Sequence, residues 1–271
     1  VMAQTGTSTQ ALQPRIVLDL GENSSARVVL LCLSDATAAG WMNTVIEVRQ
    51  AAGSRLELIQ LQEQGLEQTQ TTLVSGILER DATASIAAFD LGARLSRNDI
   101  DITLAGPGSH CEVFGAFLPM QAQHTDTHVC IDHAAAHTSS DAAFRGIAGK
   151  SSRGVFNGKV IVRPDAQKIS AEQRSDNLLI AGDAEIDTKP ELEIYADDVK
   201  CSHGATVGEL DEQHMFYLQT RGIDEAAARA LLTYAFAQTI VERIADEQLR
   251  AAVGARIAQR LPEHERWERL S

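Results

Sequence analysis

Ile100-Asp101-Ile102-Thr103-Leu104, then Gly106-Pro107-Gly108-Ser109, then Val113-Phe114-Gly115-Ala116-Phe117-Leu118: a β-rich run, a corner of small residues, and a second β-rich run. The flanking runs read as strands, and glycine, proline and serine mark the turn between them. The unit recurs. Strand-like runs precede it at Arg27–Leu33, Thr44–Arg49, Leu56–Leu61 and Thr71–Leu78, and follow it at Val155–Val162, Leu178–Ile180 and Glu191–Tyr195. Further corners fall at Ala51-Ala52-Gly53-Ser54, Asp81-Ala82-Thr83, Gly149-Lys150-Ser151-Ser152 and Ala181-Gly182-Asp183. A corner every ~15 residues, or about twice that, is the pattern of stacked coils. We expect a mainly β protein whose residues 15–210 form a right-handed parallel β-helix. A β-sandwich is the competing reading, but hairpin signals are nearly absent, and Asn157-Gly158 interrupts a strand-like run.

After Leu210 the period becomes helical. Asp211–Thr220 is short, and Asp224 caps a longer run with the apolar stripe Ala228, Leu231, Leu232, Ala235, Phe236, Ile240 and Ile244. Gly222 separates the two, and the Arg- and Glu-rich stretch Ala251–Ser271 reads as a further solvated or frayed helix. Residues 211–271 are thus expected as a separate helical tail, its stripe used either for packing or for docking a partner.

Hydrophobic residues make up 44% of the chain and aromatics only 4%, which suits an aliphatic core better than a ring-lined pocket. A net charge of -13 opposes nucleic-acid backbones and anionic membranes alike. The longest apolar stretch, around Val28–Leu33, is far short of the ~20 residues of a spanning helix. Cys32, Cys111, Cys130 and Cys201 form no Cys-x-x-Cys pair, a spacing that fits reduced thiols in the cytoplasm. Residues 1–14, polar at their start and without an apolar signal region, read as a disordered lead-in.

Gly149-Lys150-Ser151 suggests a phosphate loop, but that loop needs glycine where Phe144 stands. His124, His128 and Cys130 share strand parity and form a candidate metal set, with His133 and His137 on the opposite parity; the alternative is a run of hydrogen-bonded polar side chains. Asp187, Glu191, Glu193, Asp197 and Asp198 are the candidate acids of the alternative reading, a β-helical carbohydrate enzyme or binding module, but they lie in one stretch without aromatic platforms.

The most informative stretch runs from Asp187-Thr188-Lys189-Pro190-Glu191-Leu192-Glu193-Ile194-Tyr195 through Ala196-Asp197-Asp198-Val199-Lys200-Cys201-Ser202-His203 to Gly204-Ala205-Thr206-Val207-Gly208. With Phe156-Asn157-Gly158-Lys159-Val160, Asn177-Leu178-Leu179, Phe216-Tyr217-Leu218 and Arg221-Gly222-Ile223, it resembles the SufB/SufD family of iron–sulfur cluster assembly proteins, and within it the SufD branch. The likeness is strong from about Gly154 to Ile244 and weaker before. The SufB branch characteristically carries Glu-His-Glu-Ala where this chain has Cys201-Ser202-His203-Gly204-Ala205. The helical region that precedes the core in the family has no counterpart in this sequence.

Cys201 and His203 stand two apart, so in an extended segment they leave the same face and make a ligand pair for iron or a nascent cluster. A pair does not fill a coordination sphere. On spacing alone a buried thiol beside a turn histidine is the favoured reading, and the resemblance reverses it. The resemblance implies a non-catalytic scaffold that pairs with SufB, so that iron or a cluster is held transiently between the two chains. ATP hydrolysis would belong to a SufC subunit docked on the helical tail, at Leu232 and Phe236. On the SufB side, Glu191–Val199 is expected as an end strand, with Glu191, Glu193 and Tyr195 outward and Leu192, Ile194 and Ala196 inward. The isolated chain could also pair with a second copy.

Overall fold

The computed structural model describes residues 1–5, 9–35 and 37–262. Its strands are β1 Met2–Gln4, β2 Gln10–Leu12, β3 Arg15–Leu20, β4 Ser25–Ser34, β5 Gly40–Gln50, β6 Arg55–Glu63, β7 Gln68–Leu78 and β8 Thr83–Asp90. They continue as β9 Leu95–Leu104, β10 His110–Phe117, β11 His124–His133, β12 Ser139–Ala148, β13 Arg153–Val162, β14 Ile169–Leu179, β15 Glu185–Ile194 and β16 Val199–Gly208. Three helices follow, α1 Glu212–Thr220, α2 Glu225–Val241 and α3 Glu247–Arg260.

Successive long strands alternate between two sheets. Sheet A runs β1-β4-β6-β8-β10-β12-β14-β16 and sheet B runs β2-β5-β7-β9-β11-β13-β15, with β3 also paired to β5. The pairings are parallel, and partners on neighbouring coils lie between 26 residues apart (Thr69 with Leu95) and 32 apart (Arg153 with Glu185). The result is the expected β-helix, a solenoid of about 7 turns. Asn157-Gly158 lies inside β13. A Cβ at Gly158 would come within 2.6 Å of the Gln173 carboxamide, whose Nε2 donates to the Gly158 carbonyl at 3.0 Å. This glycine therefore serves a close approach of the two sheets, not a turn.

The lead-in expected at residues 1–14 is partly drawn into the fold: β1 pairs with β4 and β2 with β5, while residues 6–8 lie outside the described residues. The open edge of the first long coil offers backbone hydrogen bonds to a strand almost regardless of its side chains.

The corners from sheet B into sheet A repeat one device. Asn23, Gly53, Asp81, Gly108, His137 and Lys168 all have φ between 55° and 77°. The N–H groups of Asn23, Gly53, Asp81, His137 and Lys168 donate to carbonyls of the next coil, at Ala52, Arg80, Pro107, Gln167 and Asp198. A serine or threonine often follows, and its hydroxyl donates three residues back, as from Ser54 to Ala51 and from Ser109 to Gly106. At Gly108, with φ 77°, a Cβ would also collide with the Asp81 carboxylate. Gly108→Ala is expected to cost about 1–2 kcal/mol. Gly182→Ala, where nothing lies within 4 Å, is the control and should leave the melting temperature nearly unchanged.

Two cores result. Inward residues of both sheets fill the lumen, while the outer face of sheet A, through Ile59, Phe89, Phe114 and Ile147, packs against Ala237, Ile240 and Val241 of α2 and Ile257 of α3. The helices are therefore a flank of the solenoid, and not the separate tail expected. Arg243 reaches Glu112 and Asp141, Arg256 reaches Glu63, and Asp246 reaches Arg27, clamping helix to sheet. Asp224 caps α2 as read, Asp211 also caps α1, and Gly222 lies between the helices at φ 87°. The last helix begins at Glu247 behind the cap Asp246 and buries Val253 and Ile257, so its inner face is packed, not solvated; residues 263–271 lie outside the described residues. No helix among the described residues is long and apolar enough to cross a membrane.

Candidate functional site at the open end coil

Among the described residues β15 and β16 are the last strands of their sheets, so each presents one edge of unpaired backbone N–H and C=O groups. The single strand expected at Glu191–Val199 is two: β15 ends at Ile194, the chain turns through Tyr195–Asp198, and β16 starts at Val199. Asp197 and Asp198 make that corner, and Gln167 Oε1 accepts from the Asp198 N–H at 2.9 Å.

Cys201 pairs in register with Ala171 and His203 with Gln173. Alternation on β16 sends both side chains to the lumen side, as the spacing predicts. Cys201 is half-buried and packs with Leu192, Ala196 and Val199 against Val160, Val162, Ile169 and Ala171. Burial pushes its thiol above the ordinary cysteine range, so it rests protonated. His203, two residues further along the same strand, is exposed and lines a cavity of about 310 Å³ with Gln173, Ser202 and Thr206. The sequence reading missed Gln173. It is buried in register with His203, and its Oε1 has no partner among the described residues. Its only signal was its parity with Ala171 in a strand too polar to read as one.

The other candidate residues lie elsewhere. Glu191 and Glu193 sit on the outer face of sheet B, paired with Lys189 at 3.0 Å and Lys159 at 2.7 Å, while Arg153 holds Asp187 at 2.6 Å. Carboxylates committed in this way do not support the carbohydrate-enzyme reading. Tyr195, 61% exposed, stands in the corner beside Ile194, which is inward by parity yet 40% exposed at the open rim. Leu232 and Phe236 of α2 are half-buried and border a hollow of about 320 Å³ against Leu210 and His214. The Arg145 guanidinium lies 4.4 Å from the centre of the Phe236 ring, so part of the stripe is spent on the chain's own packing. On α1, which buries no residue, Phe216 is 67% and Tyr217 57% exposed.

His124, His128 and Cys130 share the outer face of β11, as parity predicts. His128 Nε2 lies 2.9 Å from Asp126 Oδ1, and its Nδ1 lies 3.2 Å from Arg97 Nη2. Among the described residues no three histidine, cysteine or acidic side chains are placed to hold a metal ion. His133, wholly buried between Thr138 and Ser140, is pushed down to about 4 by burial and is a neutral core histidine. In Gly149-Lys150-Ser151, Ser151 Oγ donates to Asp183 at 2.7 Å, closing a corner.

A two-sheet parallel solenoid, helix-flanked on one face and carrying a thiol–imidazole pair on its last strand, defines a coiled scaffold with an open, chemically equipped end. Residues 2–236 match the family described as SUF system FeS cluster assembly, SufBD core domain, and the chain belongs to that family. It is 36% identical over 245 residues to the iron–sulfur cluster assembly protein SufD of Escherichia coli (strain K12), covering 90% of this chain and 58% of that protein. A SufBD family iron–sulfur cluster assembly protein of Synechocystis is 39% identical over 155 residues, 57% of this chain and 34% of the relative. Protein ABCI7, chloroplastic, of Arabidopsis thaliana is 30% identical over 212 residues, covering 78% and 44%. The chain spans about half the length of these relatives.

Proposed function

We propose that this chain is a non-catalytic scaffold subunit of iron–sulfur cluster assembly. In this reading its open end coil adds strands to a SufB-type partner, and Cys201 and His203 supply part of the ligand set for iron or a nascent cluster at the junction. The observation that carries this is the placing of both donors on the last strand of sheet A, beside unpaired edges. Two protein ligands leave a tetrahedral or cluster site half filled, which a second chain facing the same edge completes. Backbone pairing gives the affinity, and the donors give the chemistry. Glu191 and Glu193 serve the partner only through the charge pattern of the outer face, whereas Tyr195 stands free beside the edge. A SufC-type ATPase would dock on the helical flank, around Leu232, Phe236 and the exposed ring of Phe216.

His203→Ala tests the ligand role. The variant should co-purify with SufB- and SufC-type partners as the parent does, because one rim side chain adds little to a strand-paired interface. It should then lose anaerobic iron loading and maturation of a cluster enzyme. Full maturation refutes the ligand role, and loss of the complex would make His203 structural. The isolated chain should hold no cluster stably; one ligated by Cys201 on purified monomer would overturn the shared-site reading.

A further inference from the structure

One lane of the lumen is polar. In sheet B, Thr44, Thr72, Asn98 and Thr127 are stacked in register on β5, β7, β9 and β11, with Gln70 two residues before Thr72. Across the lumen, Gln60, Ala88 and Gly115 form the matching row of sheet A. How the rows face each other is fixed by the Asp90–Ser96 hydrogen bond at 3.0 Å on one side and by Phe144 and Phe156, with ring centres 5.0 Å apart, at the end of both rows.

Thr44, Gln60, Gln70, Asn98 and Thr127 are all buried. Thr44 Oγ1, Gln60 Nε2, Gln70 Oε1, Asn98 Oδ1 and Thr127 Oγ1 have no hydrogen-bond partner among the described residues. Gln70 Nε2 already donates to Thr72 at 2.8 Å, so turning that amide over only exchanges one orphan for another. An orphaned buried group costs more than a typical hydrogen bond returns, and native folds supply partners for nearly all of them. Neighbouring coils are about 4.8 Å apart, a gap that one water bonded to an oxygen on each coil bridges. Opposite Asn98 the facing row contributes only the small side chain of Ala88, while beside Gly115 the Ala88 carbonyl and the Phe144 ring already close the space. Water can donate to the four oxygens and accept from Gln60 Nε2, which a cation cannot do. The nearby carboxylate, Asp90, is engaged by Ser96 and Asn98.

We propose that an ordered file of water molecules runs along the lumen from Thr44 to Thr127, with one partner on each coil, and is stopped at its far end by the Phe144–Phe156 pair. A high-resolution crystal structure should show a water within hydrogen-bond distance of both Asn98 Oδ1 and Thr127 Oγ1. Collapse of the lane, with these groups bonded to each other and no water peak, would overturn the proposal. Thr127→Val, nearly equal in shape, gives a second reading. In a hydrated lane it removes a partner from a bound water, so that water peak should vanish and the urea midpoint fall. A rise in the midpoint means that the hydroxyl was dry and unmet, and the proposal fails.

Discussion

Phe117→Ala is expected to cost about 3–5 kcal/mol, the upper range for emptying a buried aromatic site. Phe117 is fully buried in the lumen, and two glycines make room for its ring. Gly146 lies in register beside it on β12, where any Cβ would overlap the ring, and a Cβ at Gly154 would come within 2.6 Å of Phe117 Cε2. The site is a matched set, a large side chain in space that its neighbours vacate, so the cost should depend on both. Gly154→Ala alone should destabilise by overpacking, whereas in the Phe117→Ala background it fills part of the hole and should restore stability. Urea unfolding of the two single variants and the double measures this. Additive losses would mean that ring and glycine do not share the space.

Asp90→Asn should stabilise the protein at neutral pH, and the gain should vanish in acid. Asp90 ends β8 inside the lumen, in register with Gln62 and Phe117, where burial raises its carboxyl from 3.8 to about 6 despite hydrogen bonds from Ser96 and Asn98. The neighbouring thiol of Cys32 is itself pushed up to about 12 by burial and carries no charge near neutrality. The folded state therefore holds the proton more tightly than the unfolded chain. Stability is complete below about pH 4, falls as pH rises through about 6, and is then lower by about 3 kcal/mol. The asparagine variant should match the parent near pH 4, exceed it increasingly as pH rises through about 6 and hold a constant gain above about 7, less whatever its amide loses in hydrogen bonding. A gain independent of pH would show that Asp90 does not change its protonation between about pH 4 and 8.

The solenoid was legible in the sequence because sheet B and its corners keep their local signals. Thr71–Leu78 and Val155–Val162 alternate between lumen and water, and Gly53 and Gly108 mark left-handed corners. Sheet A lost those signals where the helices cover it. In Ile86-Ala87-Ala88-Phe89 both parities are buried, one in the lumen and one under α2 and α3, so the period-two pattern of β8 disappears. β12 keeps its alternation through Arg145 and was missed for another reason: its inward positions Ser140, Ala142 and Gly146 are small or polar. β16, which carries Cys201 and His203, has few large side chains after Val199 and was readable only as two donors at strand spacing. Family resemblance, not periodicity, made that pair a candidate site. Gln173 was hidden because an inward glutamine looks, in sequence, like an outward one.

The corner ladder also sets an order of events. Each rung joins groups about 30 residues apart, so a coil can close onto the previous one as soon as its own residues exist, with little loop entropy to overcome. The helix clamps are of another kind: Arg243 meets Glu112 across 131 residues, Arg256 meets Glu63 across 193, and Arg27 meets Asp246 across 219. They can form only when the whole solenoid stands. Hydrogen exchange pulsed during refolding should find the corner amides of Asp81 and His137 protected before those of α3. The molecule is assembled like a spring wound turn by turn and fastened last.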